Sequence, residues 1–188
     1  MRTTPPSDGA CTWSKRNADQ IRDVLHEILT HVASDKEALV ARPETCLLRP
    51  HLLAAADALP SGHRPEVDCE DDLTALVQPA HLDQMLANLI SNAEKYAGGV
   101  VEITARTSGD RWVQLCVIDA GPGVPHPFRE QLFDRYTRAV SKVNNIPGTG
   151  LGLFITRQLA RANPGDVTCE EAVPTGSVFT ITLPRPEA

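Results

Sequence analysis

The 188-residue sequence is 41% hydrophobic and 22% charged, with a formal net charge of −6. That is enough apolar material for one compact domain with an appendage, and it lacks the basic surplus that marks a nucleic-acid binder. The five cysteines, Cys11, Cys46, Cys69, Cys116 and Cys169, are odd in number and never at C-x-x-C spacing, so neither a disulfide framework nor a zinc site is expected and a reducing cytoplasm fits. No apolar run approaches the roughly 18 residues of a membrane span and no secretory signal pattern opens the chain. The expected location is the cytoplasm, or the cytoplasmic part of a membrane receptor.

In chain order, residues 1–16 mix proline, glycine, serine and charge without periodicity, the pattern of a flexible arm. Ile21, Val24, Leu25, Ile28, Leu29, Val32 and Leu39 recur at helical spacing and predict an amphipathic helix over 18–40. Residues 1–41 are therefore separated from a main domain over 42–188. A short helix is expected from Pro50 to Leu59, then extended segments at "EVDCEDDL" and "ALV". Pro79 opens the next helix, whose buried stripe is Leu82, Met85, Leu86, Leu89 and Ala93 and which Gly98-Gly99 ends. At about 100° per residue, Asn88, Asn92, Lys95 and Tyr96 share an adjacent edge of it.

"VVEITAR" and "WVQLCVID" predict a hairpin whose second strand runs into Asp119, followed by a sharp turn at "AGPGVPHP". "FREQLFDRYTRA" predicts a short amphipathic helix, "VSKVNNIPG" a mobile loop, and "GTGLGLFITRQLARAN" a glycine turn entering a helix. Two strands, "DVTCEE" and "SVFTITLP", close the chain. Without a regular βαβ rhythm, the expected fold is α+β, with helices stacked on one face of a mixed sheet.

Three clusters carry chemistry. The spaced glycines of "GTGLGL" before a helix either present backbone N–H groups to a phosphate or only turn tightly, and the motif alone leaves both open. Asp119 in "VIDAGPGV" either accepts from an exocyclic amine such as that of adenine or caps a turn. Asn88 and Asn92 are poor helix formers inside an apolar helix; their amide oxygens suit a hard cation such as Mg²⁺, and Lys95 adds a charge for phosphate.

In order, "NLISNAEKY", "DAGPG", "FREQLF" and "GTGLGL" resemble the asparagine, first glycine, phenylalanine and second glycine boxes of sensor histidine kinases. The resemblance runs from about Cys46 to Pro184 and implies their ATP-binding catalytic domain, a two-layer Bergerat-type α/β sandwich shared with DNA gyrase B and heat-shock ATPase chaperones, here with an N-terminal helical arm. It implies that Asn92 coordinates Mg²⁺ with Asn88 beside it, that Lys95 meets phosphate and that Tyr96 lines the nucleotide pocket. Asp119 would bind the adenine amine, with Gly121 and Gly123 letting the base approach. Gly148, Gly150 and Gly152 would hinge and close the lid formed by residues 124–147, with Thr149 and Leu151 of the same box among the nucleotide-binding positions; Arg138 would reach the phosphates from that lid, while Phe128 and Phe133 anchor it. Hydrolysing relatives resemble this helix but carry glutamate where Asn88 stands; an amide cannot act as that general base. The resemblance therefore implies a kinase that holds Mg-ATP for transfer of the γ-phosphoryl group to a histidine, with a histidine-bearing dimerisation domain and a response regulator as partners.

"LHEILTHV" echoes the family's phosphoacceptor box at His26, Glu27 and Thr30, but Leu29 and His31 replace its usual basic residue and proline. His26 also lies only 62 positions (88 − 26) before Asn88, too few for a complete two-helix hairpin. The 18–40 helix is thus either a remnant of the dimerisation hairpin, able to form a homodimer, or a packing arm. Asn163-Pro164-Gly165 replaces the family's His-Gly-Gly turn and should still turn the chain. The alternatives are a non-catalytic nucleotide-binding regulatory module and an anti-sigma-type serine kinase of the same fold.

Overall fold

The computed structural model describes residues 40–59, 64–137 and 150–187. The expected arm and helix before residue 40, with His26, lie outside the described residues, as do Arg138, Gly148 and Thr149.

Strand β1 (Glu44–Leu47) leads directly into helix α1 (Leu48–Asp57), which buries Leu48, Leu52 and Ala56. The helix starts two residues before Pro50 because a proline in the first turn lacks only an N–H that has no helical partner there. β2 (Glu66–Cys69) and β3 (Thr74–Val77) follow, and β1 and β3 pair antiparallel as a separate two-stranded sheet. Helix α2 (Pro79–Ala97) has proline at its start and ends on Gly98, whose φ of 79° favours a residue without Cβ. Leu82, Met85, Leu86, Leu89 and Ala93 are all buried, as their spacing predicts. Each such side chain contributes about 1.5–3 kcal/mol relative to exposure.

The main sheet is completed by β4 (Val100–Ser108), β5 (Trp112–Asp119), β6 (Asp166–Glu171) and β7 (Ser177–Pro184). Its spatial order is β2-β4-β5-β7-β6, with β2 parallel to β4 and every other pair antiparallel. Helix α2 packs on β4 and β5, and α4 (Gly152–Ala162) packs on α2, β6 and β7. This is the expected sandwich of helices on one face of a mixed sheet.

The period of two in the strands fixes what reaches the core. β5 turns Val113, Leu115, Val117 and Asp119 inward, and β7 turns Ser177, Phe179, Ile181 and Leu183 inward. Each apolar series ends in a polar residue at the same edge of the sheet, where Asp119 and Ser177 are direct cross-strand partners.

A buried amide locks the opposite end. Asn163, fully buried in the turn after α4, accepts from the Gln78 N–H (2.8 Å) through Oδ1. Its Nδ2 donates to the Leu159 carbonyl (2.7 Å) and to His81 Nδ1 (3.0 Å). The start of α2 is thereby tied to the end of α4. Burial pushes the His81 imidazole below its ordinary pKa, in keeping with a neutral ring accepting at Nδ1.

The segment after β5 differs from expectation. Helix α3 covers only His126–Arg129, and turns follow to Tyr136 instead of a helix over "FREQLFDRYTRA". The α-helix stops at Arg129, and Tyr136 has a φ of 62°, outside the right-handed helical region, so the chain turns while still burying Leu132 and Phe133.

Candidate functional site

The site is built where the two strand series turn polar. Asp119 is 5% exposed. Its Oδ1 accepts the N–H of Gly121 (2.9 Å) and of Ser177 (3.2 Å), while Oδ2 receives no hydrogen bond from the described residues. The carboxylate is thus held by one oxygen, its second left with acceptor capacity. The turn beyond it is pressed against the end of α2: a Cβ on Gly121 would lie 2.5 Å from that of Ala97 and 3.1 Å from Asp119 Oδ1. Gly176 backs the same corner, where any side chain would collide with the Asp119 carbonyl. The Thr175 hydroxyl donates to the Gly121 carbonyl (2.6 Å) and fixes the turn from the β6–β7 side.

Helix α2 carries the site away from this corner. Asn88 and Asn92 are half-buried on one edge, and Lys95 and Tyr96 are exposed near its end. Asn88 Nδ2 donates to the Gly152 carbonyl (3.3 Å) and to Thr156 Oγ1 (3.2 Å), and the Thr156 hydroxyl itself donates to Gly152 (2.9 Å). That set of contacts assigns the amide nitrogen to α4 and turns the harder ligand, Oδ1, away from it. From Asn88 at the start of α4 to Ala97 at the Asp119 turn is nine residues, about 13 Å along the helix.

Among the described residues, no side chain caps the start of helix α4. Leu151 precedes it with no capping side chain, and no acidic residue stands in its first turn. Its leading N–H groups and positive dipole end are therefore available to an anion. Gly150, with a φ of 76°, makes the turn into it. Leu151 is 5% exposed and packs in the core, so its side chain is an anchor and only its backbone borders the site.

The described residues after the Asp119 turn, up to Thr137, are tethered to helix α4 and the sheet. Phe133 is buried with the Arg157 guanidinium 5.2 Å from its ring centre, and Arg135 lies 4.6 Å from that of Phe154. Arg157 is in turn held to Asp166 through Nε (2.8 Å) and Nη2 (3.1 Å). Burial opposes the charge on Asp166, but the hydrogen bonds from Arg157, the Val167 N–H and Arg161 outweigh it and bring its pKa down to about 2. Arg129 donates to the Val124 carbonyl (3.0 Å) and pairs with Glu171. Phe128 packs half-buried against the core.

Of the residues singled out in the sequence, the structure joins Asn88 to Gly152 at the α2–α4 junction, just after Gly150, places Asn92 one turn farther along α2, and sets Asp119, Gly121 and Gly123 at the strand-end turn. Lys95 and Tyr96 lie on the last turn of α2, near that turn. Ser177, Thr175, Gly176 and Thr156 complete the site without having been anticipated. Ser177 was findable: it is the polar end of an otherwise apolar inward series. Burial raises the Cys46 and Cys69 thiols and pushes Cys169 up to about 12, which disfavours their thiolates. Among the described residues, no group of three or more His, Cys, Asp or Glu side chains could hold a metal, and no helix is long and apolar enough to cross a membrane.

Comparison with known proteins agrees with this geometry. The signal transduction histidine-protein kinase AfsQ2 of Streptomyces coelicolor is 37% identical over 120 residues, covering 64% of this chain and 22% of that protein. The adaptive-response sensory kinase SasA of Synechococcus elongatus is 28% identical over 195 residues, covering 98% of this chain and 50% of that protein. The chain thus spans about a fifth of the length of one relative and half of the other. Among solved structures, the Acinetobacter baumannii histidine kinase AdeS shares the fold with a TM-score of 0.73 at 18% identity, over 98% of this chain and 88% of that one. The ATP-binding domain of PrrB from Mycobacterium tuberculosis superposes with a TM-score of 0.59 at 26% identity, over 79% of this chain and 99% of that one. The profile of histidine kinase-, DNA gyrase B- and HSP90-like ATPases matches residues 77–187, more than half of the sequence, and the chain belongs to that family.

Proposed function

We propose that this chain binds Mg-ATP between the Asp119 turn and the start of α4 and presents the γ-phosphoryl group to a histidine on a dimerisation domain, as the catalytic part of a two-component sensor kinase. The observation that carries the reading is the half-satisfied buried carboxylate of Asp119. With Oδ1 held by two backbone N–H groups, Oδ2 is the acceptor for the exocyclic amine of adenine. The stripe on α2 then leads from base to phosphates. Tyr96 borders the nucleotide and Lys95 offers its ammonium to phosphate, while the uncapped N–H groups of Gly152 and its neighbours receive phosphate oxygens. Arg138, Gly148 and Thr149 are assigned to the phosphates and the lid by the family resemblance alone.

A magnesium ion would take its protein ligands from the amide oxygens of Asn92 and Asn88, completing its shell with phosphate oxygens and water. When bound, the ion neutralises charge on the β- and γ-phosphates. Asn88 cannot remove a proton from water, so the site favours an external nucleophile over hydrolysis. Transfer of this kind depends on in-line positioning of the acceptor. His26 lacks the box neighbours that would position it, and the acceptor is assigned to a complete hairpin.

Incubation with γ-labelled ATP and Mg²⁺, alone and with the dimerisation hairpin of a related sensor kinase, tests the reading. The expected label is alkali-stable, acid-labile and confined to the hairpin. Acid-stable label on the acceptor would indicate serine transfer. Acid-labile label on the chain alone, lost in His26→Gln, would make it a self-contained kinase.

A further inference from the structure

A second concavity lies on the other side of α2 from the nucleotide edge. It is a groove of about 470 Å³ between α1 and α2, floored by Ala54 and Ala55 of α1, by Ala58 and Leu59 just beyond its end, and by Ala87 and Ile90 of α2. Four alanines leave a trough where larger residues would have closed the contact between the helices. The His51–Asp83 pair, 2.6 Å apart, sits at the end nearer the start of α2, and Glu94 lies at the other. None of these residues belongs to the proposed nucleotide site.

We propose that this groove seats the apolar stripe of the chain's own segment 18–40. Three observations carry the assignment. First, the described residues begin near the groove: the Arg42 N–H donates to Gln78 Oε1 (3.0 Å), and Gln78 precedes α2, so residues 40–42 lie toward the His51–Asp83 end. Second, the lengths match. Ile21, Leu25, Ile28 and Val32 span eleven residues at helical spacing, and the groove extends along α2 from Asp83 to Glu94, also eleven residues, about 16 Å in each case. Third, residues 33–39 supply a connector of up to about 23 Å, ample to fold back from Val40. Large aliphatic side chains entering an alanine-lined trough bury apolar area with little rearrangement. Seated this way, the segment is a packing arm that covers α1 and leaves the nucleotide edge of α2 open.

The test uses the full chain with a benzophenone amino acid replacing Ala87, an exposed position on the groove. After irradiation, cross-linked peptides should join residue 87 to residues 18–40 within a species of monomer mass, and the cross-link should disappear in Leu25→Asp/Ile28→Asp. In the chain without the photoprobe, the same double substitution should speed amide exchange across Ala54–Leu59 while leaving the Asp119 turn unchanged. Cross-links to a second copy, cross-links to other segments, or exchange at Ala54–Leu59 that is indifferent to the double substitution would each overturn the proposal. Neither readout depends on nucleotide binding, so failure here is separable from failure of the kinase reading.

Discussion

Replacing Asn88 by aspartate separates the two jobs assigned to that side chain. The native amide donates to the Gly152 carbonyl and to Thr156 Oγ1, joining α2 to the first turn of α4. A carboxylate keeps an oxygen for a cation but has no donor. It faces the Gly152 carbonyl with like partial charge, and the Thr156 hydroxyl can turn to it only by abandoning Gly152. In either arrangement two of the junction's three hydrogen bonds are lost. Each costs about 0.5–1.5 kcal/mol at a half-buried position, so the expected destabilisation is about 1–3 kcal/mol. For a chain of this size that lowers the melting temperature by roughly 2–12 °C. Magnesium affinity of the ADP complex should persist, since a carboxylate is the stronger ligand for a hard cation. Scanning calorimetry with and without Mg-ADP reads both quantities. A variant that melts like the native chain would refute the helix-joining role, and one that loses magnesium dependence while keeping ADP would refute the assignment of the oxygen.

Asn92→Ala should weaken Mg-ATP far more than metal-free ADP in paired titrations, because the amide acts through the ion; equal weakening would make it structural. Burial holds the His81 pKa below that of the unfolded chain, about 6.5, so the unfolded state takes up the proton first and stability falls as pH drops below that value. His81→Leu should flatten this part of the stability profile measured by denaturant titration between pH 7 and 5. Asp166, near 2, stays ionised across that window and does not contribute. Phe133→Ala, which removes a buried ring from beneath Arg157, should cost about 3–5 kcal/mol and loosen the tether to α4, read as faster amide exchange over residues 128–136.

The elements most legible in the sequence were those whose period is complete. α2 was readable from Pro79 to Gly98 because its apolar stripe, its proline start and its glycine stop all agree. The β4–β5 hairpin and both closing strands alternate cleanly, and the carboxylate at the end of "WVQLCVID" stood out where a hydrophobe was due. What escaped was long-range. Nothing in the sequence marks that Asn163 reaches His81 across 82 positions, or that Asn88 would choose Thr156 as its partner. The phenylalanine segment reads as a helix by spacing, yet the chain leaves the helix after Arg129 and turns through Tyr136 at a φ of 62°, a change that no local spacing signals. Leu151 reads as part of a glycine-rich ligand loop, whereas its side chain serves the core. The glycines at 121 and 123 suit close approach of a base, but Gly121 is already required by the contact with Ala97, independently of any ligand.

The measurement that bears most directly on the nucleotide site is calorimetric titration of ADP into the full chain and into Asp119→Asn. The substitution keeps an amide oxygen to accept from Gly121 and Ser177, so the turn is preserved, while the group facing the base changes from acceptor to donor. Losing a hydrogen bond to a charged acceptor costs about 1.5–3 kcal/mol, which corresponds to about ten- to hundredfold weaker ADP binding, with an unchanged melting temperature for the free chain. ADP bound equally well by both proteins would contradict the account.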